Sequence, residues 1–281
     1  MAERPDKSLI NLFSRIPVET ISEIPDIKIN GVAWDSRKVQ PGNIFIAMGG
    51  EQTDGFKYIP QAVSNGAVAI LGEREGIISE VPYIQIKEDT KFAMATLAAA
   101  LYDFPARKLT VIGVTGTDGK TTTTNMIYQI LTRAGIKAGM ISTVNAVIGD
   151  EALDTGYHVT TPESPEIQAY LARMVASGLT HVVLETTSHG LKQGRVIACD
   201  YDLAVITNVT HEHLDFHGSY QAYLEAKGML FEELDRTPQK PHGNLRTAIL
   251  NKDDNSYGYL KRVSPMDQIS YSMMHEATIW A

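Results

Sequence analysis

Gly116-Thr117-Asp118-Gly119-Lys120-Thr121-Thr122 is the segment whose residue types point most specifically to a chemistry. It follows the apolar run 109–115 and opens an amphipathic stretch. Glycines let backbone N–H groups approach a phosphate, and a helix N-terminus adds positive potential there. In that setting Lys120 would sit on β- and γ-phosphates and the Thr121 hydroxyl on a hard metal ion. The match to G-x-x-x-x-G-K-[ST] is imperfect, because Val114 stands at the first glycine position and the glycine comes two residues later, at Gly116. An ordinary glycine-rich strand-to-helix turn is the plainer alternative.

Two further constellations follow apolar runs. Glu185 ends His181-Val-Val-Leu-Glu185, at the carboxyl edge of a strand, where open α/β sheets bind ligands. After 203–208 come His211, Glu212, His213, Asp215 and His217. A polar surface loop has the same composition. Zinc would need three or four strong ligands and no thiol is near, while magnesium prefers oxygen, so these residues alone assign His213 no metal. Lys227 is the odd residue of the helical pattern 219–234. It falls on the stripe made by Tyr220, Tyr223, Leu224, Leu230, Phe231 and Leu234. A lysine there must reach water, pair or lose its charge. A snorkelling stem and an amine paired or chemically altered at a site both remain open.

The elements that must position these residues alternate. Strands are predicted at 109–115, 138–143, 181–186 and 203–208. Helix 120–134 carries Met126, Ile127, Ile130 and Leu131 on one face. A second helix, 165–177, has Ser164 as its N-cap and Pro165 at its first position. Short buried strands between amphipathic helices imply a largely parallel sheet covered on both faces. Upstream, short strands at 42–48, 68–71 and 83–86 and helices at 59–65 and 90–102 read as a smaller α/β domain. Pro105 is expected to stop the second of these helices. The expected division is therefore 1–105 and 106–281.

Composition excludes several classes. The 281 residues carry a net charge of −8, which argues against a general nucleic-acid or anionic-membrane surface. The one cysteine, Cys199, excludes an internal disulfide and a multi-cysteine metal site. No apolar stretch is long enough for a membrane span, and MAERPDKSLI lacks an apolar signal core. A cytoplasmic protein, with no membrane insertion and most simply a monomer, is the expectation.

Taken together, the segments resemble the Mur ligase family, over nearly the whole chain. In the first domain these are Trp34-Asp35-Ser36-Arg37, Pro41-Gly42-Asn43-Ile44-Phe45 and Gln52-Thr53-Asp54-Gly55. In the second they are the 116–122 loop, Thr160-Thr161-Pro162-Glu163, Glu185-Thr-Thr-Ser-His189 with Gln193-Gly194-Arg195-Val196, His213-Leu-Asp-Phe-His217-Gly218, and Ala226-Lys227. The likeness is greatest to the branch acting on a UDP-N-acetylmuramoyl-dipeptide.

The resemblance implies a small UDP-sugar-binding α/β domain, then a P-loop-type ATP-binding domain with a largely parallel sheet. It implies Ser36, Gln52 and Thr53 at the uridine nucleotide and Gly116 to Thr122 around ATP. Thr121, Glu185 and His213 would hold Mg²⁺, and Lys227 would be carbamylated to N6-carboxylysine. Thr160, Thr161, Thr187, Gln193 and Arg195 would contact the sugar-peptide. Lys120, Glu185, His213 and Lys227 would be the catalytic set. The implied reaction is ATP-dependent amide formation with an amino acid through an acyl phosphate, in peptidoglycan precursor synthesis.

There are departures from the family. Asp118 stands where the family often has Asn, and Thr186-Thr187-Ser-His where it has Val-Ser-Ser-His. The family's third domain is expected to be missing. The alternatives are a folylpolyglutamate-synthetase-like ligase, a non-catalytic nucleotide- or UDP-sugar-binding protein, and a simple P-loop NTPase. The first-domain segments count against the first and third.

Overall fold

The computed structural model describes residues 6–50, 54–154, 161–210, 212, 214–264 and 267–280. Contacts divide the chain into two compact units, Met1–Phe104 and Pro105–Ala281.

In the first unit, Lys7–Ser8 (β1) leads into the short helix Leu9–Phe13 (α1) and pairs antiparallel with Lys28–Ile29 (β2). The main sheet is parallel and sequential: Gly31–Ala33 (β3), Asn43–Ile46 (β4), Ala69–Gly72 (β5) and Tyr83–Gln85 (β6). The connections carry the helices Ile59–Ser64 (α2), between β4 and β5, and Thr90–Leu101 (α3), after β6. Every residue of β4 and β5 is buried, which is why these strands read as unbroken apolar runs rather than alternating ones. Asp89 caps α3 by accepting from the N–H groups of Lys91 and Phe92 at 2.8 and 3.1 Å.

The end of α3 differs from the reading that Pro105 stops it. The helix finishes at Leu101, and Asp103 and Phe104 then turn the chain with φ of 58° and 49°. Lys7 and Arg15 hold that turn through the Asp103 carboxylate, at 2.7 and 2.8 Å. Proline disfavours the right-handed helical conformation in the residue before it, so the break falls upstream of Pro105 itself.

The second unit contains, in chain order, Thr110–Thr115 (β7), Lys120–Arg133 (α4), Ala138–Ile141 (β8), Asn145–Ile148 (β9), Glu151–Asp154 (β10), Ser164–Ala176 (α5), His181–Glu185 (β11), Ser188–Lys192 (α6) and Leu203–Ile206 (β12). Leu214–His217 (α7), Tyr220–Arg236 (α8), Thr247–Asn251 (β13), Tyr257–Val263 (α9), Gln268–Ser272 (β14) and Ile279–Trp280 (β15) follow. Among the described residues they form one sheet in the order β10-β9-β8-β11-β7-β12-β13-β14-β15. From β8 to β15 in that order all neighbours are parallel, and β9 and β10 add an antiparallel edge.

The chain leaves β7 toward β8 and β11, then crosses to β12 and continues outward on the other side. That reversal opens a crevice at the carboxyl edge between β7 and β12, the place where such sheets bind ligands. Ile112, Val114, Val183 and Val205 face α4, while Val111, Val182, Leu184 and Ile206 belong to the larger core beneath α5 and α8. None of the described helices is long and apolar enough to cross a membrane.

Two expectations about helix faces change. In α4 the buried stripe is Thr124 with Ile127, Tyr128 and Leu131, so Met126 and Ile130 lie outside it and are 59% and 64% exposed. One helix covering one sheet face needs only an i, i+3, i+4, i+7 stripe, and apolar residues beside it face water. In α5 the cap is Glu163, not Ser164. Its N–H donates to the Glu166 carboxylate at 3.3 Å, and Ser164, the first helical residue, is fully buried.

The opposite edge of the sheet is locked by a buried ion pair. Lys240 Nζ lies 2.5 Å from Asp202 Oδ2 and donates to the Leu109 carbonyl at 2.9 Å, and Val111 N–H donates to the same carboxylate at 2.7 Å. Burial works against both charges, raising the carboxyl pKa and lowering the ammonium pKa. Lys240→Met strands the carboxylate and should cost about 3–5 kcal/mol in urea unfolding, with Lys240→Met/Asp202→Asn recovering a good part. A single variant within about 1 kcal/mol of wild type would contradict this.

Candidate active site

The 116–122 loop is shaped from below by the turn that follows β12. Thr117 N–H donates to the Asn208 carbonyl at 2.8 Å and Asp118 N–H to Asn208 Oδ1 at 2.9 Å. Thr207 Oγ1 donates to the Asp118 carbonyl at 2.7 Å, and Thr210 N–H to Thr117 Oγ1 at 2.9 Å. The turn lies so close that a Cβ on Gly116, whose φ is 151°, would sit 1.8 Å from Thr207 Oγ1. Gly119 caps α4 in the left-handed region, at φ 77°. The first-turn N–H groups of a helix have no intrahelical acceptor, so those of Lys120, Thr121 and Thr122 face outward beside the Lys120 amine. That amine donates to the Thr117 carbonyl at 2.7 Å. The Asp118 side chain is exposed.

Glu185, 1% exposed at the end of β11, is the acidic partner of this loop. Thr121 Oγ1 lies 3.0 and 2.9 Å from its two carboxylate oxygens. Thr143, in the loop after β8, adds its N–H at 3.1 Å and its hydroxyl at 3.0 Å. Thr121 and Thr143 also meet each other at 3.1 Å. The cluster is all oxygen, the donor set a hard divalent cation takes. Among the described residues no group of three or more His, Cys, Asp or Glu could hold a metal ion. His213, like His211, Gln52, Thr53 and Thr160, lies outside the described residues.

Lys227 settles between its two sequence readings. It is 1% exposed, so it does not snorkel. Nζ donates to the Gly116 carbonyl at 2.6 Å and lies 4.3 Å from the centre of the Tyr223 ring. Tyr223 in turn shares a hydrogen bond with Thr117 at 3.2 Å. Burial, and then the Lys120 charge, hold the Lys227 amine well below the ordinary lysine range. An amine of this kind is a neutral nucleophile at a lower pH than a surface lysine.

A second group gathers beyond Glu185. Thr187 caps α6 through the Gly190 N–H at 3.0 Å and meets Thr161 Oγ1 at 2.9 Å. Arg195 donates to the Thr161 carbonyl at 2.7 Å and pairs with Glu163 at 3.0 Å. Gln193 ends α6, with its N–H on the His189 carbonyl. His217 Nε2 lies 3.1 Å from Ser188 Oγ, and His189 stacks on Phe216 with ring centres 3.9 Å apart. Thr161, Thr187 and Arg195 are thus brought together. Sequence reasoning missed Thr143, Asn208 and the Glu163 partner of Arg195. Asn208 was legible only as a strand terminus beside the loop, and nothing in the spacing pointed to Thr143.

Ser36 lies in the first unit, in a cleft of about 590 Å³ lined by Trp34, Phe45, Met48, Tyr58, Gln61 and Lys91 among others. Asp35 shapes its rim by accepting from the Arg37 N–H at 3.0 Å and pairing with the guanidinium at 2.8 Å.

A glycine loop between a strand and a helix at a sheet's switch point, with an acidic strand end facing it, is the arrangement in which open α/β sheets take up phosphates. Comparison with known proteins takes this further. Residues 114–281 match the Mur ligase middle domain and residues 28–108 the Mur ligase family catalytic domain. The chain belongs to the Mur ligase family. It is 41% identical over 273 residues to UDP-N-acetylmuramoyl-L-alanyl-D-glutamate–2,6-diaminopimelate ligase of Geobacillus thermodenitrificans, covering 97% of this chain and 55% of that protein. The enzyme of the same name from Bacillus licheniformis is 38% identical, with 97% and 54% covered. A solved structure of a ligase of that name superposes with a TM-score of 0.79 at 28% identity, over 96% of this chain and 53% of its own. The chain spans about half the length of the curated relatives it matches.

The depressed Lys227 pKa has a consequence for stability. Between the folded and unfolded pKa values the unfolded chain holds a proton that the folded chain lacks, so stability rises with pH there. The contribution is complete above the ordinary value of 10.5 and is lost as pH falls through the lowered one. The stability of wild type relative to Lys227→Met should therefore increase from neutral pH toward pH ~10, followed by urea unfolding. A pH-independent difference would contradict the assignment.

Proposed function

We propose that this chain carries the nucleotide- and UDP-sugar-binding part of an ATP-dependent ligase joining an amino acid to UDP-N-acetylmuramoyl-L-alanyl-D-glutamate. The names of its relatives favour 2,6-diaminopimelate as that amino acid, and a cytoplasmic setting suits such a precursor. The observation that carries the reading is the convergence of three features at one sheet edge: the 116–122 loop, the Thr121–Glu185 oxygen cluster and the buried Lys227 amine.

On this reading Gly116, Thr117, Asp118, Gly119 and Thr122 present the backbone that cradles ATP, and Lys120 leaves the Thr117 carbonyl to meet its phosphates. Thr121 and Glu185, with His213, would hold Mg²⁺. Bound there, the ion supplies neutralisation of phosphate charge. Thr161, Thr187, Gln193 and Arg195, with Thr160, would contact the sugar-peptide, and Ser36, with Gln52 and Thr53, the uridine.

Lys227 is the proposed modified residue. CO₂ adds to a neutral amine: the nitrogen lone pair forms the N–C bond, one C=O π pair moves to oxygen, and the nitrogen loses a proton. The product is a carbamate anion, N6-carboxylysine. The group thereby gains a negative charge, which attracts a cation. The lowered pKa and the nearby Lys120 charge both favour that change.

Two experiments test the reading. Lys120→Ala should weaken Mg-ADP binding to the chain by about 10–100-fold in calorimetry, the loss of one charged hydrogen-bond donor, with the melting temperature retained. Unchanged affinity would remove Lys120 from the phosphate site. After equilibration with ¹³C-bicarbonate, the wild-type chain should show a carbamate carbon signal that Lys227→Arg lacks. The same signal in both proteins, or in neither, would rule the modification out.

A further inference from the structure

Tyr271, on β14, reaches from two strands away to the turn that floors the 116–122 loop. The ladder between β12 and β13 ends at Val205 and Ile249. Past it the Ile206 and Thr207 carbonyls take donors from side chains, as buried strand-end carbonyls must where a ladder gives out. Asn251 Nδ2 donates to the Thr207 carbonyl at 2.7 Å. The Tyr271 hydroxyl donates to the Ile206 carbonyl at 2.8 Å, with the Thr207 carbonyl 3.3 Å away. Asn251 and Tyr271 are register partners on β13 and β14, so the two donors arrive side by side. β14 lies two strand spacings from β12, about 10 Å, a gap that calls for a long side chain with its polar atom at the tip.

The backbone held in this way is the one that aims Thr207. Its hydroxyl donates to the Asp118 carbonyl at 2.7 Å and stands where a Cβ on Gly116 would fall. Val209, two residues on, is held by a different group, its N–H donating to the Asp254 carboxylate at 3.2 Å. Burial, then the Asp254 and Asp253 carboxylates, push the Tyr271 hydroxyl pKa up to about 12. The group therefore keeps its proton and stays a donor through the neutral range.

Resting on the reading of 116–122 as a phosphate loop, we propose that Tyr271 is a positioning residue for the nucleotide phosphates. Its hydroxyl fixes the Ile206–Thr207 backbone. Through the Thr207 side chain it holds the Asp118 carbonyl, and with it the turn that leads into Lys120. Tyr271 acts on the phosphates through the loop and not by contact.

The test is a double-mutant cycle read by calorimetric titration with Mg-ADP, at a temperature where circular dichroism shows every variant folded. Tyr271→Phe keeps the ring and removes the hydroxyl. It should weaken Mg-ADP binding by about 3–10-fold, the worth of one neutral hydrogen bond. Thr207→Val should weaken binding by a similar factor. Because the two act in one chain of contacts, the double variant should bind within about twofold of Thr207→Val alone. Thr207→Ser keeps the relaying hydroxyl, and in that background Tyr271→Phe should show its full loss. A merely structural role for Tyr271 makes the losses independent, and losses that multiply in the Thr207→Val background would overturn the inference. So would Mg-ADP affinity in Tyr271→Phe equal to that of wild type, which leaves the nucleotide reading intact. A wild type that binds no Mg-ADP would overturn the phosphate-loop reading and this inference with it.

Discussion

A lysine amine that water cannot reach organises the carboxyl edge of the large sheet. An unpaired ammonium in such a place is costly, so the surroundings must supply an acceptor or the group must shed its proton. Here both occur. Gly116 turns its carbonyl onto Lys227, and burial together with the Lys120 charge depresses the amine pKa. For that carbonyl to reach Lys227, the loop must pass against the Thr207–Asn208 turn at a distance that leaves no room for a Cβ on Gly116. The loop geometry, the turn after β12 and the position of α8 are therefore one constraint seen from three elements.

The sheet order makes this meeting possible. Because the chain crosses from the β8 and β11 side to the β12 side, the loop after β7 lies between two loops that cannot block it. The turn after β12 holds its floor, while Glu185 from β11 and Thr143 from β8 close an oxygen cluster over Thr121. At the far edge the Lys240–Asp202 pair joins the lead-ins of β7, β12 and β13. One end of the sheet is locked by a buried ion pair, and the other keeps its polar groups facing a crevice.

Much of this could be read from residue order. Unbroken apolar runs marked the parallel strands, because a strand covered on both faces has no polar side to show. The loop, Glu185 and the misplaced Lys227 stood out because glycine, carboxylate and ammonium are each anomalous where they fall. The boundaries were less legible. Pro105 looked like a helix stop, yet the break comes earlier, where Asp103 is held by Lys7 and Arg15, residues close to α3 only in space. Met126 and Ile130 read as core because periodicity cannot say how wide a stripe the sheet will cover. Thr143, Asn208 and the pairing of Glu163 with Arg195 escaped for the same reason as the Asp103 partners. They act through short polar contacts with residues 32 to 90 positions away, and such contacts leave no periodic trace.

The state of the Lys227 amine carries the account, and it can be observed without any ligand. With lysine labelled at Cε, an NMR titration of the chain in CO₂-free buffer resolves each ammonium, and Lys227→Met identifies the resonance. The account predicts that Lys227 titrates well below the other lysines, its amine neutral where theirs are still charged. A Lys227 resonance that titrates with the surface lysines near 10.5 would contradict it.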